Sequence, residues 1–138
     1  MTATPVSTPA PYCILVAALG GEGGGVLADW LVQCALESGL PVQATSVPGV
    51  AQRTGATSYY IELLRAAVPA GAAQPVFALT PLPGCVDVVV ASELLEAARM
   101  VERGFVTDRT TLIASTHRVY TTIEKMHMAD GRQDPQRL

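Results

Sequence analysis

A cluster of glycines near the N-terminus has the composition and the position of an anion-binding loop. The segment Leu19–Gly25 follows a short apolar run, Tyr12–Ala18, and precedes a stretch whose apolar residues recur at helical spacing. The glycines of this loop are Gly20, Gly21, Gly23, Gly24 and Gly25. Between a strand and a helix, glycines let the backbone turn tightly and approach an anion, and the helix N-terminus offers free N–H groups to that anion.

Two features argue against a nicotinamide dinucleotide at this loop. Such a site needs an acidic residue about 20 positions further on to hold the ribose, whereas Val42–Ser46 contains neither an acid nor an arginine. Glu22, inside the loop, would also repel a pyrophosphate, and the Gly-Lys-Ser/Thr ending of a P-loop is missing. Two interpretations remain. The glycines either serve tight packing of the helix on the strand, or contact another anionic group or a partner chain.

A second polar loop, Ser46–Gly55, contains Arg53 at the carboxyl end of the second predicted strand. If this strand neighbours the first one, Arg53 lies beside the glycine loop. A guanidinium group at that edge would bind a carboxylate or a phosphate. The alternative is a solvated loop arginine, and the sequence leaves both interpretations open.

The other reactive residue types form no catalytic or metal-binding set. Cys13, Cys34 and Cys85 include no C-x-x-C pair, so we predict reduced thiols, with Cys13 and Cys34 in apolar surroundings. His117 follows a predicted strand, but an ordinary loop histidine is the simpler interpretation. Ser92 is best explained as a helix cap. We therefore predict no catalytic residue and no metal site in this chain, which favours a subunit of something larger.

Length and composition narrow the class of protein. The chain has 138 residues, 49% of them apolar and 15% charged, which is typical of one globular domain with a hydrophobic core. A net charge of −3 gives no electrostatic reason to bind nucleic acid or anionic lipid. No apolar run approaches the roughly 20 residues that span a bilayer. Residues 1–11 resemble a disordered tail rather than a signal peptide, so we expect a cytoplasmic protein without a membrane partner.

Strands and helices alternate along the chain. The predicted strands are 12–18, 42–45, 56–64, 76–79, 86–91 and 110–115. One helix follows the glycine loop and ends at Gly39, a second follows Ser92 and ends at Gly104, and a third begins near Glu124. This order predicts an α/β, Rossmann-like three-layer domain with a mostly parallel sheet. Two or three helices are too few to cover such a sheet, so the chain is either incomplete or relies on a partner to cover one face.

Several segments, in order, resemble one family. Gly20–Ala28 (GGEGGGVLA) is similar to the glycine loop that opens the beta subunit of indolepyruvate:ferredoxin oxidoreductases, and Thr45–Gly55 (TSVPGVAQRTG) to that family's second signature. Its Arg-x-Gly ending resembles the gamma-type domains of pyruvate and other 2-oxoacid:ferredoxin oxidoreductases. Further similar segments are Val76–Gly84, Val88–Leu94 and Ala114–Tyr120. The resemblance covers residues 12–131 as one gamma-type domain and leaves 132–138 as a tail.

The resemblance implies an oxidoreductase that acts on the oxo group of its donor. Such enzymes oxidatively decarboxylate a 2-oxoacid, here indolepyruvate or another aryl pyruvate, join the acyl group to coenzyme A and pass electrons to ferredoxin. Thiamine diphosphate, Mg and the 4Fe–4S clusters are expected in a partner alpha subunit. The phosphate-rich end of coenzyme A suits the glycine loop and Arg53. The residues expected to bind it are Gly20, Gly21, Gly23, Gly24, Ser46, Arg53, Thr54 and Gly55.

The sequence departs from the family pattern at three places. Glu22 stands where the family usually has glutamine, and Cys85 where a polar or acidic turn residue is expected. The chain ends at Leu138 although family members continue, so the domain is predicted to be C-terminally shortened and the isolated chain to be inactive. The alternatives are a nucleotide-binding Rossmann-type module and an inactive truncated remnant.

Overall fold

The computed structural model describes residues 10–48, 55–120, 125–126 and 135–137. Five strands and two helices follow one another in these residues, with a short 3-10 turn, Pro135–Arg137, near the C-terminus. The elements are β1 (Tyr12–Leu19), α1 (Gly24–Glu37), β2 (Val42–Pro48), β3 (Ala56–Leu63), β4 (Val88–Ala91), α2 (Leu94–Glu102) and β5 (Thr111–Ala114).

The five strands form a single mixed sheet in the order β2-β3-β1-β4-β5. β1 pairs with β4 and β4 with β5 in parallel, while β3 runs antiparallel to both β1 and β2. Four strands therefore point the same way and only β3 points the opposite way. The predicted α/β class with a mostly parallel sheet is confirmed, and β1 and β4 are neighbours in this sheet. The assumption that the first two strands are neighbours is wrong, because β3 lies between them.

Two helices on opposite faces make three layers with a core on each side of the sheet. One face of β1 packs through Leu15 against Met100 of α2. Its other face packs through Val16 against Ala28 of α1. Because β1 is buried on both faces, its sequence is a continuous apolar run rather than an alternating one. The arrangement is consistent with a Rossmann-like layout.

Two predictions about segments need correction. Residues 76–79 are not a strand. Instead they lie beside β2 and β3, where the Thr45 hydroxyl donates to the Leu79 carbonyl at 2.8 Å and the Ala78 N–H donates to the Glu62 carboxylate at 2.7 Å. Hydrogen bonds to polar side chains thus take the place of the backbone hydrogen bonds that a strand would make with its neighbour. The second strand is also longer than predicted, since Ser46 belongs to β2 rather than to the following loop.

Two predictions about side chains are also corrected. Ser92 does not cap α2, because the carboxylate of Glu93 accepts the N–H groups of Leu95 and Glu96 at 2.6 and 3.1 Å. The charged carboxylate is a stronger acceptor for these backbone donors than a serine hydroxyl. Cys34 is exposed on α1 rather than in apolar surroundings, whereas Cys13 is buried as expected.

The predicted tail 1–11, the helix near Glu124 and the tail 132–138 lie largely outside the described residues.

No helix in the described part of the chain is long and apolar enough to cross a membrane.

Candidate functional site: the glycine loop at the carboxyl edge of the sheet

The loop between β1 and α1 is shaped by two glycines in the left-handed region. Gly21 and Gly23 have φ angles of +86° and +79°, which L-residues with a side chain rarely adopt. A Cβ at either position would meet no atom within 4 Å, so the space outside this turn is open. These two glycines are there for the backbone conformation, and they leave room for another group to approach the loop.

The next two glycines serve packing instead. A Cβ on Gly24 would overlap the side chain of Ala18, and one on Gly25 would lie 3.2 Å from the hydroxyl oxygen of Tyr59. Without side chains at these positions, the first turn of α1 lies directly on β1 and β3. The packing interpretation therefore holds for Gly24 and Gly25. Contact with an anion or a partner chain stays a prediction for Gly21 and Gly23.

The two helices begin in different ways at this edge of the sheet. α1 begins at Gly23 without a side-chain cap. At the start of α2, Glu93 caps the helix and the Leu94 N–H donates to the carbonyl of His117 at 2.9 Å. Uncapped N–H groups at a helix N-terminus carry partial positive charge and attract anions. The N-terminus of α1 is therefore suited to an anionic ligand, while that of α2 is already satisfied within the protein.

Glu22 links the glycine loop to the turn between β4 and α2. Its carboxylate accepts the N–H of Leu19 at 3.0 Å and also the hydroxyl of Ser92. These two donors are neutral and leave the negative charge of the carboxylate in the loop, so the repulsion of a pyrophosphate by Glu22 stays a prediction. Ser92, which the sequence suggested as a helix cap, helps to fix the glycine loop instead.

The last residue of the second polar loop, Gly55, contacts the glycine loop. The N–H of Gly20 donates to the carbonyl of Gly55 at 2.9 Å, directly before the start of β3. Ser46 is exposed on β2, opposite Tyr59 of β3, so it lies one strand further from the glycine loop. Arg53 and Thr54 lie outside the described residues. Of the predicted site, the structure brings Gly20 and Gly55 together.

A buried ion pair at the same edge could not be found from the sequence. Glu93 and Arg118, with side chains 1% and 5% exposed, form a salt bridge of 3.1 Å between the segment after β5 and the start of α2. The same Glu93 oxygen accepts the N–H of Val119 at 3.0 Å. The 25 positions that separate the two partners along the chain hid the pair, and a glutamate in the first turn of the predicted helix was the signal that the sequence offered. The imidazole of His117 lies exposed beside it.

A second polar cluster lies in the core at the opposite end of β1. The Tyr60 hydroxyl contacts the Glu62 carboxylate and lies 3.4 Å from the Cys13 sulfur. Burial raises the pKa of the Cys13 thiol and that of the Tyr60 hydroxyl. A thiol with a raised pKa is a poor nucleophile. This cluster is therefore structural: it supports the Glu62 side chain that holds residue 78.

The described residues contain no group of three or more His, Cys, Asp and Glu side chains that could hold a metal ion. The donor set of this part of the chain is therefore unsuited to an iron–sulfur cluster, which needs four protein ligands, usually cysteine thiolates.

Comparison with known proteins decides the family. The sequence profile described as "Pyruvate ferredoxin/flavodoxin oxidoreductase" matches residues 13–137. The chain belongs to this family. A search of curated protein sequences finds no significant match. The family assignment agrees with the resemblance of the glycine loop and of the later segments to 2-oxoacid:ferredoxin oxidoreductases.

Solved structures of 2-oxoacid oxidoreductases share this fold. A 2-oxoglutarate:ferredoxin oxidoreductase from Magnetococcus marinus, determined with 2-oxoglutarate, coenzyme A and succinyl-CoA bound, matches with a TM-score of 0.57 and 16% identity over 76% of this chain. The gamma subunit of a keto/oxoacid ferredoxin oxidoreductase from Geobacter sulfurreducens matches with a TM-score of 0.52 and 15% identity over 76% of this chain. The pyruvate oxidoreductase subunit PORC from Thermotoga maritima matches with a TM-score of 0.55 and 20% identity over 84% of this chain.

This chain matches only part of each of these proteins. It covers 51% of the Geobacter chain, 56% of the Thermotoga chain and 16% of the Magnetococcus chain. At such identities the likeness shows the fold. The family match shows in addition that the chain is related to subunits of 2-oxoacid:ferredoxin oxidoreductases, which work as assemblies of several subunits or domains.

Proposed function

We propose that the chain is the gamma-type subunit, called beta in indolepyruvate enzymes, of a 2-oxoacid:ferredoxin oxidoreductase. The assembly removes CO2 from a 2-oxoacid, transfers the acyl group to the thiol of coenzyme A and passes the released electrons to ferredoxin. The resemblance of the glycine loop and of residues 45–55 to indolepyruvate enzymes supports an aryl pyruvate as the substrate. The family match over residues 13–137 carries the proposal.

Within this assembly we assign the chain to coenzyme A rather than to the 2-oxoacid. Open space at Gly21 and Gly23 and the uncapped start of α1 suit the phosphate groups of coenzyme A. Gly20, Gly24, Ser46, Thr54 and Gly55 would shape this edge of the sheet. Arg53, two residues before Gly55, would supply the positive charge that the backbone lacks.

The redox chemistry would belong to a partner. Thiamine diphosphate with its Mg ion would supply the decarboxylation chemistry, and the 4Fe–4S clusters would carry the electrons. Both are assigned to the alpha subunit, which would also meet ferredoxin. This division fits the donor set of the described residues. We propose that the assembly acts in the cytoplasm, where the free cysteines Cys34 and Cys85 on the surface stay reduced.

The substrate class is tested by co-expressing the chain with the thiamine-containing alpha subunit of the same organism. Coenzyme A-dependent reduction of methyl viologen is measured with indolepyruvate, phenylpyruvate, pyruvate and 2-oxoglutarate. We expect the two aryl pyruvates to give the highest kcat/KM. Preference for pyruvate or 2-oxoglutarate would retain the enzyme class and refute the aryl assignment. No activity with any of the four, together with tight NADH binding by the isolated chain, would favour a nucleotide-binding module instead.

A further inference from the structure

The glycine loop and the turn after β4 meet at a crevice of the sheet. β1 and β4 are parallel neighbours, but the chain leaves β1 for α1 on one face and leaves β4 for α2 on the other face. In open α/β sheets, ligands bind in the crevice that forms at the carboxyl ends of two such strands. Glu22 follows β1 and Ser92 follows β4, and their side chains are in contact across this crevice.

Glu22 carries the charge of the glycine loop. It is the only charged residue of Leu19–Gly25, and it stands directly before Gly23, where α1 begins. A carboxylate at this position would be expected to turn toward the N–H groups of the first helical turn, because these groups carry partial positive charge. The carboxylate of Glu93 does so at the start of α2, where it accepts two backbone N–H groups.

The carboxylate of Glu22 is held away from α1. Its Oε2 atom accepts both the N–H of Leu19 at 3.0 Å and the hydroxyl of Ser92. Among the described residues, no N–H group of α1 donates to this carboxylate. The N–H of Ser92 donates to the carbonyl of Ala17 at 3.0 Å, which joins the turn after β4 to β1. The Ser92 hydroxyl therefore holds Glu22 from a backbone that is itself anchored to the sheet.

We propose that Ser92 is a positioning residue for the anion at the glycine loop: its hydroxyl keeps the Glu22 carboxylate in the crevice, so that the N–H groups at the start of α1 stay open to a phosphate. This inference rests on the proposed function, in which coenzyme A supplies that phosphate. Without the hydroxyl, the carboxylate would turn to the same N–H groups. It would then compete with the phosphate for these donors and repel it through its charge.

A purely structural role of Ser92 makes a different prediction. If the contact with Glu22 only stabilised the fold, its loss would lower the free energy of unfolding, and removal of the carboxylate would not restore ligand binding. Under the proposal, the effect of Ser92 on the ligand depends on the charge of Glu22. Glu22→Gln has nearly the same shape as the wild-type side chain and no charge, so this variant separates the two roles.

A double-mutant cycle on the co-purified complex with the alpha subunit tests the proposal, with the Kd of coenzyme A measured by isothermal titration calorimetry. Ser92→Ala should raise this Kd roughly tenfold, the order expected for a carboxylate that caps a helix. Ser92→Thr retains the hydroxyl and should bind like the wild type. Glu22→Gln should bind at least as tightly as the wild type, and adding Ser92→Ala to it should not weaken binding further.

The matched control is Ser38→Ala. The Ser38 hydroxyl donates to the carbonyl of Cys34 at 2.8 Å, at the far end of α1, so its loss should leave the Kd of coenzyme A unchanged. In the rate assay, Ser92→Ala should raise the coenzyme A concentration for half-maximal rate and leave kcat unchanged. Thermal unfolding checks every variant. If Ser92→Ala does not fold, the affinity of Glu22→Gln decides.

The outcomes separate the inference from the proposed function. If the wild-type complex does not form or does not bind coenzyme A, the proposed function fails and the inference fails with it. If the wild-type complex binds coenzyme A but Ser92→Ala binds it equally tightly, or if the double variant binds more weakly than Glu22→Gln, the inference alone fails. Weaker binding by Glu22→Gln would show that the carboxylate supports the ligand instead of competing with it, and would also overturn the inference.

Discussion

At the scale of single residues, Arg53 is the side chain whose replacement tests the coenzyme A assignment. A charge-assisted contact with a phosphate is worth about 1.5–3 kcal/mol. Arg53→Ala should therefore raise the coenzyme A concentration for half-maximal rate roughly ten- to a hundred-fold, at about 1.4 kcal/mol per tenfold. Arg53→Lys should restore little if the contact is bidentate. The measurement is the coenzyme A dependence of viologen reduction by the complex.

The control for this variant is Arg65→Ala. Arg65 lies just after β3, where its guanidinium stacks on Tyr12 at the opposite edge of the sheet. This change should leave the coenzyme A dependence as it is. Gel filtration monitors association, and loss of association in Arg53→Ala would reassign Arg53 to the subunit interface. Normal association with unchanged coenzyme A dependence would leave Arg53 as an ordinary loop residue.

The cysteines allow a residue-scale test of the fold itself. Cys13 is buried and burial raises its pKa, so little of it is thiolate near pH 8, while Cys34 and Cys85 are exposed. Iodoacetamide should therefore modify Cys34 and Cys85 rapidly in the native chain and Cys13 only after unfolding in urea. Mass spectrometry of the digested protein measures the three rates. Rapid native modification of Cys13 would contradict the placement of β1 in the core.

At the scale of elements, β4 contributes to both cores, as β1 does. Val89 is 0% exposed in the core beneath α2. Val89→Asp would bury a carboxylate without a partner, which costs several kcal/mol and is comparable with the whole stability of a small domain. The variant should be insoluble or unfolded by circular dichroism. The matched control Val101→Asp, on the exposed side of α2, should fold normally. A soluble Val89→Asp protein of wild-type stability would show that β4 is not central.

The sequence sufficed for those elements whose pattern is local. β1 and β4 could be predicted because a strand that is buried on both faces has a continuous apolar sequence. The end of α2 could be predicted because a glycine, Gly104, is available there for the left-handed conformation that ends a helix. The insertion of β3 between β1 and β2 could not be predicted, since strand order depends on tertiary pairing. The segment at 76–79 has the composition of a strand, but its partner is the buried Glu62 side chain.

The candidate site was predicted in part for the same reason. The glycine loop is a local motif between a strand and a helix, so its position was evident from the sequence. The contact of Glu22 with Ser92 joins residues that lie 70 positions apart. No local pattern reveals such a contact. The assignment of Ser92 as a cap failed because Glu93, next to it, is the stronger acceptor.

At the scale of the whole molecule, the described residues form an α/β domain whose glycine loop is suited to an anionic ligand. It belongs to a family of oxidoreductases and, among its described residues, has no metal-binding cluster. Under the proposed function, this chain works only as part of an assembly. The dependence of catalysis on this chain is therefore the central claim.

Titration of the chain into its purified alpha subunit tests this claim most directly. Formation of acyl-CoA from indolepyruvate and coenzyme A is followed by mass spectrometry, with oxidised ferredoxin as the electron acceptor. We predict that the alpha subunit alone forms almost no acyl-CoA, and that the rate rises with added chain and saturates at equimolar amounts. An alpha subunit that forms acyl-CoA at the full rate without the chain, or a complex that remains inactive at saturation, would contradict the proposed function.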